Sequence, residues 1–305
     1  MTPFPDGSKN PAGTADSAPR PILVLGATGN VGGATVRALR ARGMPVRSAT
    51  TRIRPGDPDP GTDTVELDLF RPETFGPAVE GIGGLFLLRP PPVSKVGPTL
   101  NALTDAALAA GVDHVVFSSV AGADTNRVVP HHRVETHLRD QAPSWTILRP
   151  GFFAQNLADA YRQDIVRDDR ILLPAGGGLV AFVDTRDIGD VAAAVFADPR
   201  AHRGRGYTLT GPQAVGFDDV AAMLSRALGR PIRYEPASVL GYARHLRRQG
   251  LPLAQLVVQT VLHTGLRRGD AETVDPTLEQ LLGRPGRTLE NYVREHAATW
   301  GPDDR

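Results

Sequence analysis

Three glycines, Gly26, Gly29 and Gly32, stand in the pattern G-x-x-G-x-x-G within GATGNVGG. Glycine lets the backbone turn tightly and come close to a ligand. Ala34, Val36, Leu39 and Ala41 follow at roughly helical spacing, with Arg37, Arg40 and Arg42 between them. A helix start offers unpaired N–H groups and a positive dipole end, so the chemistry this pattern suits is capture of a pyrophosphate. The apolar run Ile22-Leu23-Val24-Leu25 ahead of it reads as a buried parallel strand. Strand, glycine turn and helix in that order form the dinucleotide-binding arrangement.

The residues near the end of the second strand, Pro45 to Thr51, discriminate between nicotinamide dinucleotides. An Asp or Glu there binds the adenosine ribose diol, whereas Arg accommodates a 2′-phosphate. No acidic residue occurs between Gly26 and Asp57, and Arg47, Arg52 and Arg54 occupy the region. Guanidinium matches phosphate in charge and geometry, so NADP(H) is favoured over NAD(H). The competing reading is of ordinary solvated loop arginines.

Proton chemistry has fewer candidates. His131 and His132 lie on a polar helix, Pro130 to Arg139, and a histidine beside a nicotinamide could act as general acid. The alternative is a surface helix with two idle imidazoles. Asp184, Asp187 and Asp190 resemble a carboxylate cluster, but acids at a helix start complement its dipole, a structural role. His131, His132 and His137 have no metal-ligand spacing, and there is no cysteine, so no metal is expected.

The elements that must position these groups alternate through the first half. Strands are expected at Thr64 to Leu69, Gly84 to Leu88, His114 to Ser118 and Trp145 to Arg149. A helix is expected over Pro72 to Val79 and an amphipathic one over 97 to 110. Open parallel sheets bind ligands at strand carboxyl ends, which places Asp68 and Leu69 beside adenine and Leu88 to Pro90, Arg89 included, along the cofactor path. Ser118 and Ser119 end the fifth strand. Beyond Pro150, Gly151 to Asn156 leads away from the sheet, and Phe152, Phe153 and Asn156 are candidate substrate contacts. The phenylalanines either stack on a planar substrate or fill a lobe junction.

Further strands are expected at Leu179 to Asp184, Tyr207 to Thr210 and Ile232 to Glu235. Helices are expected at Asp187 to Phe196, Asp218 to Leu228, Val239 to Arg248, Leu253 to Leu266, Thr277 to Leu282 and Thr288 to Ala298. The fold class is α/β: a doubly wound parallel sheet over 21–150, with a smaller, mainly helical lobe over 151–305 from which about 179–200 returns to the sheet. Residues 1–20 read as a disordered tail without a secretory signal.

The chain has 305 residues, 41% hydrophobic and 22% charged, with a net charge of +1. That average gives no electrostatic case for nucleic acid or an anionic membrane, and no apolar run reaches the length of a membrane helix. A small-molecule substrate and a cytoplasmic location are the expectations. Helices 253–266 and 288–298 are candidates for either lobe core or the surface of a homodimer.

Several motifs occur together: GATGNVGG, the arginine-bearing strand end, VVFSSVAGAD, WTILRPGFFAQNL, FVDTRDIGDVAA, YTLTGP and LLGRPGRTLENYVREHA. From about residue 21 to the C-terminus the series resembles the NmrA-like family of atypical short-chain dehydrogenase/reductases. The resemblance implies a Rossmann domain with a small C-terminal lobe. It implies that Gly26, Thr28, Gly29, Asn30, Val31 and Gly32 hold the pyrophosphate and that Arg52 takes the 2′-phosphate. Asp68 and Leu69 would flank adenine. Leu88, Arg89, Pro90, Ser118 and Ser119 would follow the cofactor to a pocket bordered by Pro150, Gly151, Phe152 and Phe153.

One departure bears on mechanism. Ordinary short-chain reductases use Tyr-x-x-x-Lys on the helix after the fifth strand, the lysine lowering the tyrosine pKa. Here the first tyrosine is Tyr161 and no lysine follows Lys95; His131 falls roughly where that lysine would be. A quinone accepts hydride without a dedicated phenol acid, because the hydroquinone oxyanion is comparatively stable. The expected function is therefore NADPH-dependent reduction of a quinone-like or conjugated carbonyl compound. The rivals are an NADP-binding redox sensor without turnover and a cofactor-retaining cyclase or isomerase.

Overall fold

The computed structural model describes residues 19–52 and 63–301. Over the first half, strands and helices alternate: β1 (Ile22–Val24), α1 (Asn30–Ala41), β2 (Val46–Thr50), β3 (Asp63–Glu66), α2 (Phe75–Val79), β4 (Gly84–Leu88), α3 (Ala102–Ala109), β5 (His114–Ser118), α4 (Pro130–Gln141) and β6 (Trp145–Pro150). The chain then leaves the sheet as α5 (Asn156–Asp159), α6 (Arg162–Asp168), β7 (Arg170–Leu173) and β8 (Leu179–Val180). It returns as α7 (Thr185–Ala197), α8 (Pro199–His202) and β9 (Arg205–Leu209). β10 (Val215–Gly216), α9 (Phe217–Leu228), β11 (Arg233–Pro236), α10 (Val239–Arg248), α11 (Leu253–Leu266), α12 (Thr277–Leu282) and α13 (Leu289–Glu295) complete it.

Seven strands form one parallel sheet in the order β3-β2-β1-β4-β5-β6-β9. The period-two alternation of a strand divides its residues between two faces. Leu23, Leu85, Val115, Phe117 and Ile147 pack towards α2, α3 and α4. Ile22, Val24, Phe86, Val116 and Leu148 pack towards α1 and α7. Both faces are covered, which is why these strands read as unbroken apolar runs. The order reverses between β1 and β4, and the crevice at such a switch point is where this architecture takes a ligand.

α1 and α7 approach so closely that a β-carbon at Gly189 would lie 2.6 Å from the Ala34 carbonyl carbon. Asp184 caps α7, accepting from Arg186 N at 2.9 Å. Asp187 and Asp190 ion-pair with Arg284 and Arg287, tying the C-terminal segment to the same helix. A separate core, with Tyr161, Phe182, Phe217, Tyr242, Tyr292 and Trp300, fills the C-terminal lobe. Two short strand pairs brace it, β7 with β11 in parallel and β8 with β10 antiparallel.

Several expected boundaries shift for local reasons. The third strand stops at Glu66 rather than Leu69, because the Asp68 carboxylate accepts from Phe70 N at 2.9 Å and turns the chain. The helix expected from 97 opens with a wide turn, Asn101 N donating to Val96 O at 3.0 Å, before α3 proper. Of the strand expected at 179–184, only Leu179–Val180 pairs with another strand as β8; Val183 instead bonds Phe152 and Ala154 across the chain crossing. The last helix ends at Glu295, followed by a tighter turn to Trp300.

The α1–α7 contact yields a stability prediction. Gly189→Val should destabilise the protein by about 3 kcal/mol in urea unfolding, since the facing atoms are backbone and cannot move aside. Gly76→Ala, where the added carbon meets nothing within 4 Å, should change stability by less than about 1 kcal/mol.

Candidate functional site

The glycine turn leaves the cap of α1, Gly29, without a side chain. Gly26 has φ +61°, and Gly29 N donates to Gly26 O at 2.8 Å, closing the turn. A β-carbon at Gly32 would stand 2.2 Å from Gly26 O, so only glycine lets the helix begin this close to the strand. Gly29 caps α1 with no side-chain hydrogen bond, and the first turn carries no acid. Its N–H groups are unopposed by carboxylate within the helix, and Thr28, Gly29 and Asn30 are exposed while Val31 is half-buried. This fits a diphosphate. Asn30 Nδ2 also donates to Asp159 Oδ2 at 2.6 Å, joining the turn to the end of α5.

At the carboxyl edge of β2 the three arginines separate. Arg47 points elsewhere: its Nε lies 2.9 Å from Asp63 Oδ2 and its Nη1 donates to Glu80 O at 2.7 Å. Arg54 lies outside the described residues. Arg52 is exposed, and its side chain makes no hydrogen bond or ion pair among the described residues. Asp68 is half-buried and Leu69 buried, just past the end of β3.

Along the sheet edge Leu88 lies beside the turn; its Cδ2 would be 3.1 Å from a β-carbon on Gly26. Arg89 is half-buried and held by three backbone oxygens, Val93 O at 2.7 Å among them, and by His131 Nε2 at 3.3 Å. Pro90 is half-buried next to it. The Arg89 Nη2 is without a partner among the described residues. His131 is buried, with its ring stacked on Phe117 at 6.1 Å. Burial, reinforced by the Arg89 charge, pushes its pKa down to about 4. The ring is therefore neutral near pH 7 and accepts from Arg89 through Nε2. His132, half-buried, donates through Nδ1 to Ala123 O at 2.7 Å.

Ser118 and Ser119 are both buried at the end of β5. Ser119 Oγ donates at 2.6 Å to Glu135 Oε1. Glu135 is fully buried and takes a two-pronged pair from Arg149, Nε at 3.0 Å and Nη2 at 2.7 Å, plus Arg139 at 2.8 Å. Burial alone would lower the Arg149 pKa, but Glu135 and Asp124 raise it overall. This cluster fastens α4 to β5 and β6, so the face bearing His131 is fixed. The sequence reading missed Glu135 and Arg149 as a pair; a charged residue on each of two otherwise apolar faces was the available signal.

β6 ends at the buried Pro150. Gly151 N then donates to Leu209 O at 2.9 Å, and Phe152 and Phe153 are half-buried beyond it. Phe152 meets Phe182 edge-on at 5.6 Å and His263 at 5.8 Å. His263 comes from α11; it is buried, donates through Nδ1 to Gln259 O at 2.7 Å, and is bonded through Nε2 to the Tyr161 hydroxyl. Burial raises the Tyr161 pKa well above its ordinary value. No sequence spacing could have joined Phe152, Tyr161 and His263. Asn156, half-buried, opens α5 three residues past Phe153.

A family model described as NmrA-like matches residues 19–244. The chain belongs to the NmrA-like family. It is 32% identical over 287 residues to the NAD(P)H azoreductase of Xenophilus azovorans, covering 92% of this chain and 99% of that one. The solved NADPH complex of the quinone oxidoreductase QOR2 of Escherichia coli superposes with a TM-score of 0.78 at 25% identity, over 91% of this chain and 98% of that one. The NADP(H) complex of the Citrobacter sp. triphenylmethane reductase superposes with a TM-score of 0.79 at 22% identity, over 90% and 99%, which speaks for the fold alone. Like these relatives, this NmrA-like chain keeps the Rossmann sheet with a helical C-terminal portion. Among its described residues no helix is long and apolar enough to cross a membrane.

The neutral, buried His131 gives a pH prediction. Its folded pKa, about 4, lies below the unfolded value of 6.5, so the unfolded chain binds more protons between them. Stability from this group is full above pH 6.5 and is lost as pH falls towards 4. His131→Asn should reduce the fall in unfolding free energy across that window by up to roughly 2–3 kcal/mol in total, measured by urea titration at each pH.

Proposed function

We propose that this protein is an NADPH-dependent oxidoreductase that reduces a quinone-like or conjugated carbonyl acceptor. The observation that carries this is the bare start of α1 together with an exposed Arg52 whose side chain has no partner among the described residues, since the two suit a dinucleotide with an additional phosphate. The named relatives, an NAD(P)H azoreductase and an NADPH-bound quinone oxidoreductase, support the same reading.

In this reading Gly26, Thr28, Gly29, Asn30, Val31 and Gly32 hold the pyrophosphate and Arg52 the 2′-phosphate. Asp68 and Leu69 flank adenine. Leu88, Arg89, Pro90, Ser118, Ser119, Pro150 and Phe153 follow the dinucleotide. Bound NADPH supplies the hydride. Phe152, Phe153 and Asn156 border the acceptor, whose flat conjugated rings suit aromatic faces. Arg89 offers Nη2, which has no partner among the described residues, to the oxygen on which negative charge develops, in a half-buried place where such charge stabilisation is strong. His131 orients Arg89 by accepting its Nε–H. His132 donates its Nδ1–H to Ala123 O, so its Nε2 is an acceptor, and the proton that completes the reduced product comes from solvent.

Two measurements test this. Arg52→Ala should weaken NADPH binding roughly 10- to 100-fold and leave NADH binding almost unchanged, read by titration calorimetry. Arg89→Gln should lower kcat/KM for simple quinones by about 100-fold with little change in the NADPH dissociation constant. No oxidation of NADPH by the wild-type protein across a broad quinone and enone panel would overturn the assignment. Binding of a partner protein that tracks cofactor redox state would instead favour the sensor.

A further inference from the structure

The hairpin α10–α11 has a charge and polarity pattern that the whole-chain average hides. No Asp or Glu occurs between Glu235 and Asp270, while Arg244, Arg247, Arg248, Arg267 and Arg268 all do. α11 itself, LAQLVVQTVLHTGL, holds no Asp, Glu, Lys or Arg. A net charge of +1 for the chain thus contains one strongly positive, acid-free segment.

The two helices turn consistent faces inward. Tyr242 and Leu246 on α10, and Leu256, His263 and Leu266 on α11, are buried against the lobe core. The opposite face of α11 carries Leu253, Val257, Val258, Val261 and Leu262, which are 50–72% exposed. On α10, Leu240 shares the outward stripe with Arg244 and Arg247 at spacings of four and three. Arg244, Arg247 and Arg248 are exposed, and their side chains make no hydrogen bond or ion pair among the described residues. A helix face turned to water ordinarily carries charged and polar side chains. Single exposed aliphatics are normal, but a contiguous stripe of them marks a contact surface.

We propose that the outer face of α10–α11 docks on an anionic lipid bilayer. Apolar side chains on a helix lying in the interface enter the boundary between headgroups and acyl chains, and arginines beside them pair with lipid phosphates. The charge pattern chooses this occupant over a second copy of the chain, since two such faces together would oppose two acid-free arginine sets. The inner side of the same hairpin brings His263 against Phe152, so an apolar acceptor leaving the bilayer would meet the covering of the proposed pocket.

Flotation of the full-length protein with vesicles tests this separately from catalysis. Wild type should float with phosphatidylcholine vesicles containing phosphatidylglycerol, far less with phosphatidylcholine alone, and release as salt is raised. Combining Arg244→Gln, Arg247→Gln and Arg248→Gln should reduce partitioning roughly 100-fold at low salt. Val261→Asp should also abolish flotation, with the melting temperature and NADPH oxidation in solution both unchanged. Absence of flotation on anionic vesicles, or equal flotation of wild type and the triple variant, would overturn the proposal. So would a dimer in sedimentation equilibrium that Val261→Asp dissociates while no vesicle binding is seen, which would give the face to a second copy.

Discussion

A single β-carbon at Gly32 would sit 2.2 Å from the carbonyl oxygen of Gly26, and much of the molecule is built around that prohibition. Because no side chain stands there, α1 starts directly over the end of β1 and its first amides stay bare. The same helix then packs through Ala34 on Gly189 of α7, a second place where backbone meets backbone. Asp184, which caps α7, is held by Gln155 Nε2 at 3.0 Å, two residues beyond Phe153. A short chain of contacts therefore links the glycine turn to the segment that bears Phe152 and Phe153. The Asn30–Asp159 bond links them again at the surface.

Buried charge is used for placement. Glu135, without solvent exposure, is satisfied by Arg149, Arg139 and Ser119 together. Desolvating such a cluster costs about as much as its attraction returns, so its net contribution to stability is small. What it supplies is geometry: any slip of α4 along the sheet would strand a carboxylate in the core. Asp187 does the same between α7 and the segment bearing Arg284 and Arg287. Both devices fix elements that line the sheet's carboxyl edge.

The glycine turn, the alternation of elements and the carboxyl ends of β4 and β5 were legible because each follows from local period and turn chemistry. Charge and position alone did not separate Arg47 from Arg52, and only the family resemblance singled out Arg52; the register of β2 against β3 gives the physical reason, since it puts Arg47 opposite Asp63 and leaves Arg52 past the ladder. Residues 157–178 carried no clear period and fold as α5, α6 and β7 by packing on Tyr161 and Ile165. The His131 environment was also hidden. A polar-looking helix turns His131 and Glu135 inward, where Phe117, Arg89 and Arg149 have already determined what each can do.

Tyr161, His131 and His263 narrow the chemistry under the proposed reaction. His263 donates through Nδ1 to a backbone carbonyl, so its Nε2 must accept, and the Tyr161 proton is the one it accepts. Burial raises that phenol further, making Tyr161 a structural donor in place of an acid. His131 is neutral at working pH with Nε2 occupied by Arg89. In the proposed reaction neither Tyr161 nor His131 is a strong acid, and the charge assigned to the acceptor is the Arg89 guanidinium. A simple ketone would give an alkoxide that needs a proton as it forms, whereas a conjugated acceptor spreads its negative charge and can take the proton afterwards. Under the proposed function these side chains favour a conjugated acceptor, in keeping with the missing Tyr-x-x-x-Lys pair.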